Sequence, residues 1–486
     1  MGIVSIIGGG FSGLSAACYA AKNGNKVTIY EKNKKVGGRA SHYSEDGFTF
    51  DMGPSWYWMP DVFDRFFNDF GKKTADYYKL DLLDPGFQVI FENNQMFPVA
   101  ADIEQLYKQF EEIEKGAAKQ LKIFLNEAEF KYNVGMDELV YKPGISWFEF
   151  ATFKVLKGIS QTHIFTSVQT YVRKHFKDAR LRAIMEFPVL FLGAMPNQIP
   201  ALYTLMNYSA LNSGTWYPQG GMYKIIEGLE TLAKSLGVEF KTSTNVTKIN
   251  VVNNKAVSIS TEKGDFETDH VIASADYAFV EKELLEPKYR NYSEKYWESK
   301  TFAPSCLIFY LGINKKVDKL IHHSLFFDTD FEKHAVEIYE TPQWPTDPLF
   351  YVCCPSKTDA TVAPEGMENL FILIPIATGL EDTEAKRESY FEPIMKRIEQ
   401  FCGEEIRSHV IYKKSYCLKN FISDYNSYKG NAYGLANILK QTAILKPKII
   451  NKKINNLIYT GQLTVPGPGV PPSLISGKIA AELIKS

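Results

Sequence analysis

Three glycines and one acid near the start of the chain, Gly8, Gly10, Gly13 and Glu31, have the types and spacing to hold a dinucleotide. Gly8 permits a tight turn, Gly10 leaves room for a pyrophosphate against the backbone, and Gly13 lets a helix pack closely on a strand. Phe11 and Ser12 complete this loop and belong to the same candidate site. Glu31 lies about 20 residues on, where a carboxylate accepts hydrogen bonds from a ribose diol, and Lys32 follows it. An acid there disfavours a 2′-phosphate, so NADP fits less well than FAD or NAD.

These residues need a strand, a helix and a second strand to hold them. The β-branched run from Ile3 to Ile7 predicts a buried parallel strand, and small residues from Leu14 to about Asn23 predict a helix that Gly24 ends. Lys26 to Tyr30 is the second strand, completing a βαβ unit. Gly86 to Val99 predicts a hairpin about Asn93-Asn94, and residues from about Asp102 to Leu211 carry mostly helical periodicity. A helix from Lys224 to Leu236 precedes strand-like runs at 238–240, 246–252, 257–260 and 270–273. Cys306–Leu311, Leu349–Cys354 and Leu370–Ile376 read as strands of a second sheet, and Leu457–Thr460 as a last strand before a Pro/Gly-rich loop and a closing helix. No repeat or low-complexity linker separates these parts, so the domains interleave.

Composition narrows the function further. A chain of 486 residues holds two or three structural units, and a net charge of −1 excludes a binder held to nucleic acid by a global basic field. Aromatic residues reach 14%, which predicts large apolar surfaces. Cys18, Cys306, Cys353, Cys354, Cys402 and Cys417 lack CxxC spacing, and none of the eight histidines has metal-like or triad-like spacing. No metal site or disulfide framework is expected, and a reduced cytoplasmic setting fits. The uncharged first 21 residues lack a basic n-region and are interrupted by glycines, so they do not read as a signal peptide. The uncharged stretch from Phe187 to Tyr223 is broken by Pro188, Pro196, Pro200 and Pro218, which predicts buried or cavity-lining chain instead of a membrane span. Ile145 to Gly158 mixes aromatics with two lysines. It fits an interfacial membrane helix and a core helix with snorkelling lysines equally well.

Val36-Gly37-Gly38-Arg39-Ala40 separates FAD from NAD, because Arg39 can supply a forked cation to the pyrophosphate or to a flavin-side carbonyl. From Gly8 to Arg39 the chain resembles the flavin amine oxidase superfamily and its relatives the carotenoid desaturases. Phe50-Asp51-Met52-Gly53-Pro54-Ser55 resembles the segment that those families place beside the isoalloxazine ring. Trp216-Tyr217-Pro218-Gln219-Gly220-Gly221 and the strand after it resemble bacterial phytoene desaturases, which implies adenine contact by Val246, and Asp276 ends a strand that matches the same family. The most specific likeness runs from Tyr459 to Gly477 and carries Gly461, Gln462, Gly469, Val470, Pro471 and Pro472. Many members have proline then glycine where this chain has Pro471-Pro472; proline is tolerated in a first helical turn. The helix from about Pro472 to Ile484 would aim its positive end at the flavin N1/C2=O edge.

The resemblance implies an α/β (α+β) fold. A Rossmann-like FAD-binding domain (1–80, 212–286 and 450–486) interleaves with a mixed-sheet and helical substrate- and membrane-binding domain (81–211 and 287–449). It implies non-covalent FAD, hydride transfer from an allylic carbon to flavin N5, and C=C formation in a linear C40 carotenoid, leaning to the 1-hydroxycarotenoid 3,4-desaturase branch over phytoene desaturase proper. The cofactor does the hard step, so no catalytic side chain is expected to stand out. Peripheral contact with the cytoplasmic membrane would admit so insoluble a substrate. A flavin amine oxidase, and a prenyl-binding protein of the Rab GDP-dissociation inhibitor type, would share the architecture.

Overall fold

The opening β-branched run is the middle strand of a five-stranded parallel sheet in the computed structural model, which describes residues 2–150 and 163–484. Across the sheet the order is Leu457–Tyr459, His270–Ala273, Ile3–Ile7, Lys26–Tyr30, Glu239–Lys241. Numbered along the chain this is 5-4-1-2-3, so the winding reverses between Ile3–Ile7 and His270–Ala273. A crevice opens beyond the carboxyl ends of strands at such a reversal. Val4, Ile6, Val27, Ile29 and Ile272 are fully buried, as a sheet covered on both faces requires.

Helix Phe11–Lys22 links the first two strands, and helix Val470–Glu482 lies along it. Glycine sets both approaches: a Cβ on Gly13 would sit 2.1 Å from the Gly8 carbonyl oxygen, and one on Gly477 would sit 2.4 Å from that of Ser12.

The second sheet has seven strands, ordered Val410–Tyr416, Ser305–Ile313, Glu368–Ile376, Phe350–Cys353, His323–Phe327, Phe87–Phe91, Met96–Val99. His323–Phe327 pairs in parallel with Phe87–Phe91, and the other neighbours are antiparallel. The period of two divides strand Ser305–Ile313 cleanly. Leu307, Phe309 and Leu311 pack with Tyr390, Ile394 and Ile398 of helix Glu384–Cys402, while Cys306, Ile308 and Tyr310 join the core on the opposite side.

The region expected to be helical contains Ile103–Ile113, Ala117–Val134, Val168–His175, Ala179–Glu186 and Leu205–Leu211. Prolines break the uncharged stretch into short turns at Phe187–Leu192 and Ala201–Thr204. Among the described residues no helix is long and apolar enough to cross a membrane. The interfacial helix considered for 145–158 falls partly on 151–158, outside the described residues; the described part is a short turn, Trp147–Phe150. Glu149 caps it by accepting the N–H groups of Gly144, Ile145 and Ser146.

Candidate functional site

Gly8, at φ +100°, turns the chain out of the first strand, and its N–H donates to the Tyr30 carbonyl at 2.8 Å. Gly37 N–H donates to the Gly9 carbonyl at 2.8 Å, which draws the second glycine segment against the first. The next residue, Gly38, sits so near that a Cβ there would be 3.3 Å from Gly10 Cα. A Cβ on Gly10 itself would meet nothing within 4 Å. Gly10 caps helix Phe11–Lys22 without a side-chain hydrogen bond, so the positive end of the helix faces open space.

Glu31 closes one side of this space. It is 5% exposed, and its Oε2 and Oε1 accept the N–H groups of Gly9 and Asn33, each at 2.8 Å. Burial raises its pKa, and the two amides pull it back. Glu31→Gln turns an NH2 toward one of these donors, so the variant should purify with much less flavin. The two charge-assisted bonds are worth about 1.5–3 kcal/mol each. Flavin released per protein on denaturation measures the effect, and wild-type stoichiometry would contradict it.

Arg39 spans the crevice floor. Its Nη2 donates to Ser427 Oγ at 3.0 Å and to the Asn431 carbonyl at 3.2 Å, and its guanidinium lies over the Tyr425 ring. Its Nε is buried without a partner. Asp276 accepts the N–H groups of Phe279 and Tyr428; burial raises its pKa and the Arg39 charge lowers it. Lys32 donates to Asn426 Oδ1 at 3.3 Å.

The C-terminal segment closes the other side. Gly461, at φ +107°, passes so close to Ser12 that a Cβ would be 3.2 Å from its Oγ, and Gln462 Nε2 donates to Asn431 Oδ1 at 2.9 Å. Gly469 caps helix Val470–Glu482, again without a side-chain hydrogen bond. Of the four N–H groups that a helix start leaves free, Pro471 and Pro472 delete two, so only those of Gly469 and Val470 remain for a ligand.

All of these elements wall one cavity of about 470 Å³. It is lined by Gly8, Gly10, Phe11, Ser12, Glu31, Lys32, Gly38, Arg39, Gly53, Pro54, Ser55, Val246, Asp276, Gly461, Gln462, Gly469, Val470, Pro471 and Pro472. Two expected residues do not line it. Gly13 is spent on the close approach of helix and loop, and Met52 offers its carbonyl to Tyr310 Oη at 2.9 Å. Beyond the glycine loops the wall turns apolar, through Phe187, Leu190, Ile308, Leu325, Ile338 and Leu373.

One cluster behind this wall, against Tyr351 and Trp56, has no signature in the sequence. Strand register sets His323 opposite Cys353, and donor atoms of His322, His323 and Cys353 lie within 4.8 Å of one another. The spacing of the histidines along the chain does not reveal this grouping, because His323 and Cys353 are thirty residues apart and meet only through the ladder. Burial pushes His322 down to about 3, His323 well below its ordinary value and Cys353 up to about 12, so all three are neutral near pH 7.

Open space before Gly10, two helix starts without side-chain caps, a ribose-height carboxylate and a buried unpartnered Arg39 nitrogen together fit a flavin dinucleotide. The sequence profile of flavin-containing amine oxidoreductases matches residues 11–485. A carotenoid 3,4-desaturase from Haloarcula japonica is 40% identical, covering 99% of this chain and 97% of that one. A zeta-carotene-forming phytoene desaturase from Myxococcus xanthus is 30% identical over 99% and 93%. Among solved structures, an oxidoreductase from Methanosarcina mazei (TM-score 0.65, 15% identity, 98% of both chains) has a similar fold. So does putrescine oxidase (TM-score 0.64, 13% identity, 99% and 98%). The chain belongs to the flavin-containing amine oxidoreductase family, among its carotenoid desaturases.

Proposed function

We propose that the protein is an FAD-dependent carotenoid desaturase that introduces a C=C bond near the end of a linear C40 carotenoid, at the 3,4 position of a 1-hydroxylated substrate. The observation that carries this reading is the single cavity, glycine-walled at one end and apolar at the other. Whole-length similarity to a carotenoid 3,4-desaturase supports the position. FAD, held without a covalent bond, would supply a two-electron hydride acceptor. Glu31 would take the ribose, the Gly8–Ser12 loop the pyrophosphate, Val246 the adenine, and Arg39 with the Gly469 and Val470 amides the flavin side. The apolar wall would orient and desolvate the polyene. We assign the two interleaved domains as 1–80, 212–286 and 450–486 for FAD, and 81–211 and 287–449 for substrate. Strand membership supports the division: the parallel sheet draws only on the first set and the seven-stranded sheet only on the second.

Expression in cells accumulating phytoene, and separately 1-hydroxylated carotenes, should lengthen the conjugation of the hydroxylated pigment. Anaerobic mixing of purified protein with that carotene in liposomes should bleach the flavin near-stoichiometrically as the polyene absorption shifts red. Peroxide formed with amines, and no bleaching by carotene, would identify an amine oxidase instead. Acid precipitation should leave the flavin in the supernatant; flavin retained in the pellet would refute non-covalent binding.

We also propose peripheral association with the cytoplasmic membrane. Phe148 and Phe165 are 87% and 85% exposed, an unusual state for large apolar rings. In liposome flotation the wild type should rise with the lipid and Phe148→Glu/Phe165→Glu should stay below; equal recovery would remove the proposal.

A further inference from the structure

Each desaturation takes two hydrogens from adjacent carbons, one with its electron pair and the other as a bare proton. A bound flavin would supply the acceptor for the first. The second is released in an apolar enclosure and has to leave it. The acids that line the cavity are committed: Glu31 accepts the N–H groups of Gly9 and Asn33, Asp276 those of Phe279 and Tyr428, and Asp424 the hydroxyls of Tyr416 and Ser423.

A set of groups with transferable protons runs from the wall toward the surface, with one gap between two adjacent imidazoles. Tyr351 and Ser55 both line the cavity, and Tyr351 Oη donates to Ser55 Oγ at 3.0 Å. His323 Nδ1 lies 2.6 Å from the same Oη, and the imidazole is held flat against Trp56, ring centroids 4.0 Å apart. Beside it stands His322, at a centroid separation of 4.4 Å. His322 Nδ1 is 2.8 Å from Oγ1 of Thr358, which is exposed to solvent. Between the two ends only the imidazole Nε2 atoms lack partners: both are buried and unsatisfied. An orphaned polar atom in a core is costly, and two adjacent ones call for an explanation. A void of about 20 Å³, enough for one water molecule, is bordered by His322 with Ser55 and Cys353.

We propose that Tyr351, His323, His322 and Thr358 form a proton exit from the cavity to the surface. The assignment rests on the desaturase reading and adds to it the group that receives the proton. Tyr351 is the catalytic residue of the set, since it faces the substrate; the histidines and Thr358 act through it. With the Tyr351 hydroxyl turned from Ser55 to Nδ1 of His323, whose neutral ring then carries its proton on Nε2, a proton delivered to Tyr351 passes to Nδ1 as that ring gives up the proton on Nε2. His322 takes it on Nε2 and releases its Nδ1 proton to Thr358, whose own hydroxyl proton passes to solvent. Every bond to hydrogen formed along the path is matched by one broken, and no electrons move. Each imidazole enters and leaves neutral, so no charge rests in the core. The depressed basicity of both rings suits them to passing a proton on.

The test uses full-length, FAD-loaded protein and carotene-bearing liposomes. Tyr351→Phe, His323→Phe and His322→Phe keep an aromatic ring in place, and Thr358→Val alters only an exposed hydroxyl. Each should form the red-shifted product about tenfold more slowly or worse, the lower end of what a positioned proton transfer contributes. FAD content, melting temperature and half-saturating carotene should stay at wild-type values. The wild type should turn over more slowly in D2O, and this isotope effect should change in the variants. Variants that load with FAD and turn over within twofold of wild type would overturn the proton exit. So would one equivalent of transition metal that copurifies with wild type and is lost in His323→Phe, since the cluster would then be a metal centre. If wild type bleaches with no carotene at all, the desaturase reading fails first, and Thr358→Val could not have revealed that.

Discussion

Gly10→Ala is expected to give a folded protein that purifies without colour. A methyl group on Gly10 meets no protein atom within 4 Å, and the residue has an ordinary backbone conformation at φ −79°. Stability should therefore stay within about 0.5 kcal/mol of wild type. The space the methyl group would fill is the space a pyrophosphate needs against the uncapped helix start. Pushing the phosphates out by about 1 Å should weaken FAD retention on the order of 100-fold. Gly13→Ala should behave differently. Its Cβ would lie 2.1 Å from a backbone oxygen that cannot swing away, so loop and helix must part. Both melting temperature and flavin content should fall, by about 1–3 kcal/mol or more in stability. Thermal melts and flavin-to-protein absorbance ratios separate the two; a coloured Gly10→Ala protein would place the pyrophosphate elsewhere.

Arg39→Met should cost both cofactor and fold, and the cost should depend on pH. The guanidinium offsets a buried Asp276 whose pKa is already raised by desolvation. Without it that pKa rises further. An acid raised in the folded state costs stability only when ionised, so the deficit is full above its folded pKa and vanishes as pH falls below the ordinary carboxylate range. The Arg39→Met protein should be destabilised on the order of 3 kcal/mol at pH 8, with the gap to wild type narrowing toward pH 5. Thermal melts at the two pH values check this; a gap that stays constant would show that Arg39 acts through packing alone.

The flavin side of the molecule is legible in the sequence because its chemistry sits in contiguous segments. Gly8 to Glu31, Gly38-Arg39 and Gly461 to Pro472 each carry their own turn signals, and the structure brings them to one wall. The seven-stranded sheet and the helix packed on it are harder to read. Helix Glu384–Cys402 is hidden by Pro393 and by a surface of charged residues, although Tyr390, Ile394 and Ile398 form its buried stripe. Strand His323–Phe327 begins with polar residues that look like loop, and its burial comes from neighbours far away in sequence. The meeting of His322, His323 and Cys353 depends on register between two such strands, which no local pattern encodes.

The edge strand Leu457–Tyr459 has a consequence for how the molecule is made. On a ribosome the strand that completes its sheet and the helix that leans on it emerge about 450 residues after the glycine loop. At roughly 5–20 residues per second, most of a minute can pass between the two. Throughout that interval the half-built crevice exposes the apolar faces of Phe11–Lys22 to whatever chaperone is near. A chain that lacks residues 457–486 would lack the edge strand and one of the two helix starts that face the cavity, so added cofactor is not expected to restore it.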